Sequence, residues 1–132
     1  MSNLIEALAT HPACEVLRKA GLDDFTQRNP RALLFFSGDV AQRPEGLDVA
    51  VVVRELATSY QDRLRVGIVD RRDETALMTQ FGVVVTPALV YLRDGKAVEL
   101  VARMRDWPVF AQACERLLAT DGLATQKTGG NA

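Results

Sequence analysis

Two apolar runs of strand length, Ala32 to Phe36 and Arg65 to Asp70, flank a segment with helical spacing, and this arrangement constrains the fold more than any other feature. The first run is continuously apolar, which is what a strand buried on both faces requires. Between them, Val52, Val53, Leu56, Ala57 and Tyr60 recur at helical intervals while Arg54 and Glu55 fall on the opposite side, so residues 49–60 read as a helix despite their β-branched content. Two strands joined by a helix lie parallel with a right-handed crossover, and their sheet must be covered by helices.

The other segments complete this plan. Leu4, Ile5 and Leu8 predict a short amphipathic helix over residues 2–9. Residues 12–19 suit either a helix opened by Pro12 or a short strand. A brief helix begins at Leu22 and must end by Asn29, because Pro30 disfavours helical geometry just before it. Ser37 to Asp48, with Gly38, Pro44 and Gly46, reads as a loop. Glu74 to Phe81 reads as a helix stopped by Gly82, and the cluster Arg71-Arg72-Asp73-Glu74 before it as a solvated turn. Asp94-Gly95-Lys96 between two apolar runs, 88–93 and 97–102, signals a hairpin. Asp106 opens a last helix from Trp107 to about Ala119, with Pro108 tolerated in its first turn. The expectation is one α/β domain over residues 1–119, a mixed sheet with helices on both faces, and a disordered tail over 120–132.

Composition excludes several function classes. The formal net charge of -1 gives no attraction to nucleic acid, and no apolar run approaches the ~20 residues that span a bilayer. An early acid and no basic segment near the N-terminus argue against a secretion signal, so a cytoplasmic protein is expected. Cys14 and Cys114, a hundred positions apart, form neither a C-x-x-C pair nor part of a metal site, and read as buried thiols. The single histidine, His11 in a Thr-His-Pro stretch, reads as a turn or cap residue. No cofactor is expected.

The stretch Phe81-Gly82-Val83-Val84-Val85-Thr86-Pro87-Ala88-Leu89-Val90-Tyr91-Leu92, with Asp94-Gly95-Lys96, resembles the thioredoxin family's segment bearing a cis proline. The resemblance runs from Ala32 to Leu118. It implies a thioredoxin-like fold with a cis bond at Thr86-Pro87. In that family the cis proline faces a C-x-x-C motif after the first central strand, and a buried acid in that strand assists proton transfer. Here the loop Ser37 to Gly46 has no cysteine, and the acid's position falls at or near Leu34. Thiol–disulfide exchange needs an attacking thiolate and a resolving thiol, and neither can be assembled from this loop. The chain is therefore expected not to be an enzyme.

What such a chain can retain is the groove. In redox-active thioredoxins the backbone beside the cis proline pairs with an extended peptide, a short form of strand addition. Val85, Thr86 and Pro87, with Asp39, Val40 and Glu45 from the loop, are the candidate peptide-binding residues. Thr86-Pro87 could equally preserve only a fold-defining turn.

A narrower resemblance is carried by Leu22-Asp23-Asp24-Phe25, Leu33-Leu34-Phe35-Phe36-Ser37-Gly38-Asp39, Val66-Gly67-Ile68-Val69-Asp70, Phe81-Gly82-Val83, Pro87-Ala88-Leu89-Val90-Tyr91 and Trp107. Together they resemble the hydrogenase expression/formation proteins of the HyaE/HupG/HoxO type, a redox-inactive thioredoxin-like branch. That resemblance implies a strand at Cys14 to Leu17. It also implies a chaperone for the small-subunit precursor of an uptake [NiFe] hydrogenase, engaging it or its twin-arginine (Tat) signal peptide before export, with another hydrogenase accessory protein as a further candidate partner. Such a signal joins arginines to an apolar segment, so acids near the groove gain interest: Asp23, Asp24, Asp39, Glu45 and Asp48. Each reads first as an ordinary solvated acid or helix cap. Trp107 is either a partner contact or the residue that packs the last helix on the sheet, and Met104 and Arg105 precede it in a loop expected near the groove's end. The rival readings are a scaffold that joins an assembly through its helix faces and a protein using Cys14 or Cys114 as a lone redox thiol.

Overall fold

The computed structural model describes residues 3–119, so the C-terminal stretch expected as a disordered tail lies outside the described residues. The elements are α1 (Asn3–Ala9), β1 (Cys14–Leu17), α2 (Leu22–Arg28), β2 (Arg31–Phe36), α3 (Glu45–Ser59), β3 (Arg65–Val69), α4 (Glu74–Phe81), β4 (Ala88–Arg93), β5 (Lys96–Ala102) and α5 (Trp107–Ala119), with short 3-10 turns at Lys19–Gly21 and Arg71–Asp73. The ambiguous stretch after Pro12 is a strand. No helix among the described residues is long and apolar enough to cross a membrane.

The five strands form one mixed sheet in the order β1-β3-β2-β4-β5. β1, β3 and β2 are parallel, while β4 runs antiparallel to β2 and β5 antiparallel to β4. Side chains on β2 alternate between two cores. Leu33 and Phe35 join α1, α3 and α5 on one face, whereas Leu34 and Phe36 join α2 and α4 on the other. This two-sided burial explains why β2 carries no polar residue between Ala32 and Phe36, and removing one such phenylalanine ring costs about 3–5 kcal/mol.

Local chemistry fixes the joints. Gly67 sits where a Cβ would meet Leu17 at 3.0 Å, Leu34 at 3.2 Å and Phe25 at 3.3 Å, so its missing side chain lets α2 lie close on the sheet. Asp94 and Gly95 form a two-residue hairpin turn, both with positive φ (53° and 82°), the backbone that Asp-Gly accepts readily. Gly82 ends α4 in the left-handed conformation. The buried Tyr91 donates its hydroxyl to the Phe110 carbonyl at 3.0 Å, pinning α5 to the sheet.

One element differs from its sequence reading. α3 begins at Glu45, within the stretch expected as loop, with Pro44 just before it. Gly46 looks like a turn residue but is a packing residue, since a Cβ there would stand 2.5 Å from the Ser37 carbonyl oxygen and 2.8 Å from Val40 Cγ1. Glu45 and Asp48 are thus acids of a first helical turn, where the helix dipole favours negative charge.

Candidate functional site

The site follows from the β2–β4 register. Leu34 pairs with Val90 and Phe36 with Ala88, so the antiparallel progression sets Gly38 opposite Thr86 as the two chains leave the sheet. The Thr86-Pro87 peptide is cis. A Cβ on Gly38 would lie 2.3 Å from Thr86 Oγ1, and Gly38 has φ of +72°, so contact and backbone both require glycine. The residue against the cis proline segment therefore carries no thiol, no side chain and no nucleophile.

Two carboxylates brace this point. Glu74, only 2% exposed, accepts a hydrogen bond from the Gly38 N–H at 3.1 Å and also binds the Arg71 guanidinium. The 71–74 cluster is thus not wholly solvated: Arg72 is exposed, but Glu74 turns inward, because a buried backbone N–H leaving a strand needs an acceptor. Glu45 accepts from Arg103 Nε at 2.8 Å, from an Arg103 terminal nitrogen at 2.6 Å and from the Met104 N–H at 2.7 Å, and these donors hold its carboxyl below its ordinary range. Arg103 has a left-handed backbone (φ 70°) and its N–H reaches the Pro87 carbonyl at 2.7 Å. The start of α3, the cis proline and the loop into α5 are thereby tied together.

The candidate residues divide into three groups. Val85, Thr86 and Pro87, the expected groove edge, lie together between α4 and β4, and Pro87 is buried. Among the described residues, the backbone N–H and C=O groups of Val85 and Thr86 have no hydrogen-bond partner. Val84 beside them is 85% exposed, and Met104 and Trp107, the latter 42% exposed, follow the residue tied to Pro87. Trp107 is therefore partly covered and partly open, which fits either packing of α5 or a partner contact. Glu45 adjoins this region with its charge already paired.

Asp39 and Val40 belong elsewhere. With Ser37, Gly38 and Ala41 they line a cavity of about 780 Å³ between α1, the start of α3 and the carboxyl ends of β1 and β3. Asp39 Oδ1 accepts from the Ala41 N–H at 3.0 Å, and its carbonyl accepts from Gln42 and Arg43, so the loop is a compact turn. The other acids are not gathered at the groove. Asp23 and Asp24 lie on α2, which packs on the opposite face of the sheet from α3, and Asp24 pairs with Arg28 at 2.8 Å; Asp48 is exposed on α3.

Among the described residues neither a reactive thiol pair nor a metal site is assembled. Cys14 and Cys114 are buried and free, and burial pushes their thiols up to about 11 and about 12. A thiol so protonated is a poor nucleophile. His11 is occupied: its Nδ1 accepts from the Ala13 N–H at 3.0 Å, which leaves Nε2 to donate to Thr58 Oγ1 at 3.0 Å. No group of three or more His, Cys, Asp or Glu among the described residues could hold a metal ion. The position expected for the family's buried acid, Leu34, is a fully buried core residue. Sequence reasoning missed Gly38, Glu74 and Arg103. Only the β2–β4 register carries a signal for Gly38, and nothing local marks Glu74 as buried.

Comparison with known proteins agrees with this fold. Residues 4–110 match the model of the family described as Hydrogenase-1 expression protein HyaE. The chain is 36% identical over 133 aligned residues to the hydrogenase expression/formation protein HupG of Rhizobium leguminosarum bv. viciae, covering 98% of this chain and 89% of that one. A solved structure of a hydrogenase expression/formation protein HupG from Rhodopseudomonas palustris is 32% identical, with a TM-score of 0.55 over 79% of this chain and 94% of that one. A mutant thioredoxin from Halobacterium salinarum superposes with a TM-score of 0.66 at 29% identity, over 79% of this chain and 91% of that one. The chain belongs to the HyaE family, and its fold is thioredoxin-like.

Proposed function

We propose that this member of the HyaE family is a non-catalytic chaperone in [NiFe] uptake hydrogenase maturation, acting in the cytoplasm on the small-subunit precursor or its Tat signal peptide before export. Membership of the family supports a role in hydrogenase maturation, an accessory role rather than a catalytic one. The observation that carries the finer reading is the groove edge at Val85 and Thr86, where unpartnered backbone groups adjoin the exposed Val84, and the facing residue is Gly38. Unpaired backbone donors and acceptors at the end of a sheet attract an extended segment from a partner, and apolar neighbours add burial. A thiol-free groove of this kind holds a peptide without chemical exchange. The buried, protonated cysteines argue against the lone-thiol rival.

The test is substitution of Thr86 with Arg, read by titration of the precursor. Thr86 is partly buried with its side chain against Gly38, so circular dichroism first checks that the variant folds, and groove binding then requires an affinity loss of about ten-fold or more. Unchanged affinity with an intact fold would turn the assignment toward the helix faces.

A further inference from the structure

We propose that the cavity between α1, the carboxyl ends of β1 and β3 and the Asp39–Ala41 turn receives the apolar anchor of a positively charged partner segment. The proposal deepens the chaperone reading, on which it rests for the partner's identity as the hydrogenase precursor. The cavity's volume, about 780 Å³, is that of a site for a peptide side chain or two rather than a packing defect. Its walls are apolar where the sheet should be covered. Val16 pairs in register with Ile68, and Ile68 with Phe35, all on the face roofed by α1, α3 and α5, yet Val16 is 53% exposed. Ile5, Val40 and Leu47 close the sides. Val16 is not an isolated exposed residue, since Ile5, Val40, Leu47 and Ile68 line the same cavity and make with it an apolar cluster open to solvent.

Charge selects among occupants. Four charged residues line the cavity: Glu6, Asp39, Asp70 and Arg71. Arg71 is paired to the buried Glu74, and Asp70 to Arg72 at 3.0 Å. Among the described residues no cation lies within ion-pairing range of Glu6 or Asp39. The mouth therefore has an uncompensated negative charge, and its arginine is not free to bind an anion such as phosphate. An apolar segment flanked by arginine or lysine satisfies both wall and rim. Gly38 lies between this cavity and Thr86, so one partner chain can engage both sides of the same residue.

The test uses the full chain and two synthetic peptides, one with two arginines beside an apolar run and one with two glutamates in their place. Amide shifts at Val16, Val40 and Ile68 on titration, with the arginine peptide bound about ten-fold tighter than its glutamate counterpart, support the assignment. Val16→Arg fills and charges the cavity at an exposed position and abolishes that binding; the double variant Glu6→Gln, Asp39→Asn weakens it while the apolar walls remain. Shifts confined to Val84, Val85 and Met104, or equal affinity for both peptides, overturn it. The precursor separates the two readings. Unweakened precursor binding by Val16→Arg sinks the cavity and leaves the chaperone; no precursor binding by the wild type sinks the chaperone, and the peptide titration still decides the cavity.

Discussion

Gly38 and Thr86 approach so closely that a methyl group on Gly38 would lie 2.3 Å from the threonine hydroxyl oxygen and 2.9 Å from its Cβ. In the thioredoxin pattern the cis proline segment faces a thiol; here the contact itself excludes any side chain. The close approach of Thr86 thus leaves no room for a thiol at residue 38.

Substitution Gly38→Ala is expected to destabilise the fold by about 1–3 kcal/mol, since it adds both a clash and left-handed strain. Adding Thr86→Ala removes the clash with the hydroxyl and restores part of the loss, leaving the backbone strain of about 1–2 kcal/mol and the close approach to the Cβ of residue 86. Urea denaturation of the wild type and these two variants checks this. An unchanged midpoint for Gly38→Ala would contradict the contact.

Glu74 offers a sharper contrast between two replacements. Glu74→Ala leaves the Gly38 N–H and Arg71 without their acceptor and costs about 1–3 kcal/mol. Glu74→Gln keeps an oxygen for the Gly38 N–H, so its loss is smaller. Equal effects, measured by chemical denaturation, would mean that the carboxylate's charge and not its hydrogen bond matters.

The cysteines give a prediction in the alkaline range. Their ordinary value is 9.0, raised in the folded chain to about 11 for Cys14 and about 12 for Cys114, chiefly by burial. Unfolding releases a thiol that ionises more readily, so their contribution is fully present below pH 9.0 and is lost as pH climbs from there toward 11 and 12. Replacing both with alanine flattens that decline. In the native protein at pH 8, labelling by a thiol reagent should wait on unfolding; prompt labelling of either cysteine would revive the single-thiol reading.

Glu45 predicts an effect on mobility more than on stability. Its carboxyl is held below the ordinary value of 4.5 by Arg103 and the Met104 N–H, so the tie is intact above pH 4.5 and lost as pH falls below it, through the folded value. Glu45→Gln should speed amide exchange at Met104 and in the loop before α5. Unaltered exchange there would show that the Arg103 bond to Pro87 suffices.

The fold was legible because its strands are apolar runs and its helices periodic, and because Asp94-Gly95 can form only a few turns. The start of α3 was not: Gly46 carries the composition of a loop, and its need for bare backbone beside Ser37 and Val40 appears only after packing. Part of the site was legible too. Thr86 and Pro87 stand where the family resemblance sets them, but Asp39 and Val40, close to Glu45 in sequence, line a different cavity. Proximity along a loop does not tell which side a residue serves. Glu74 was hidden for a similar reason, since an acid at a helix start reads as solvated until a buried N–H is found above it.

Chaperone action at the Thr86 groove is decided by the affinity of the purified protein for hydrogenase small-subunit precursor with and without its signal peptide, under reducing conditions. The expected result is binding that persists without any disulfide, depends on the signal peptide and weakens in Thr86→Arg. Binding to neither form, or binding only through a trapped mixed disulfide, would contradict it.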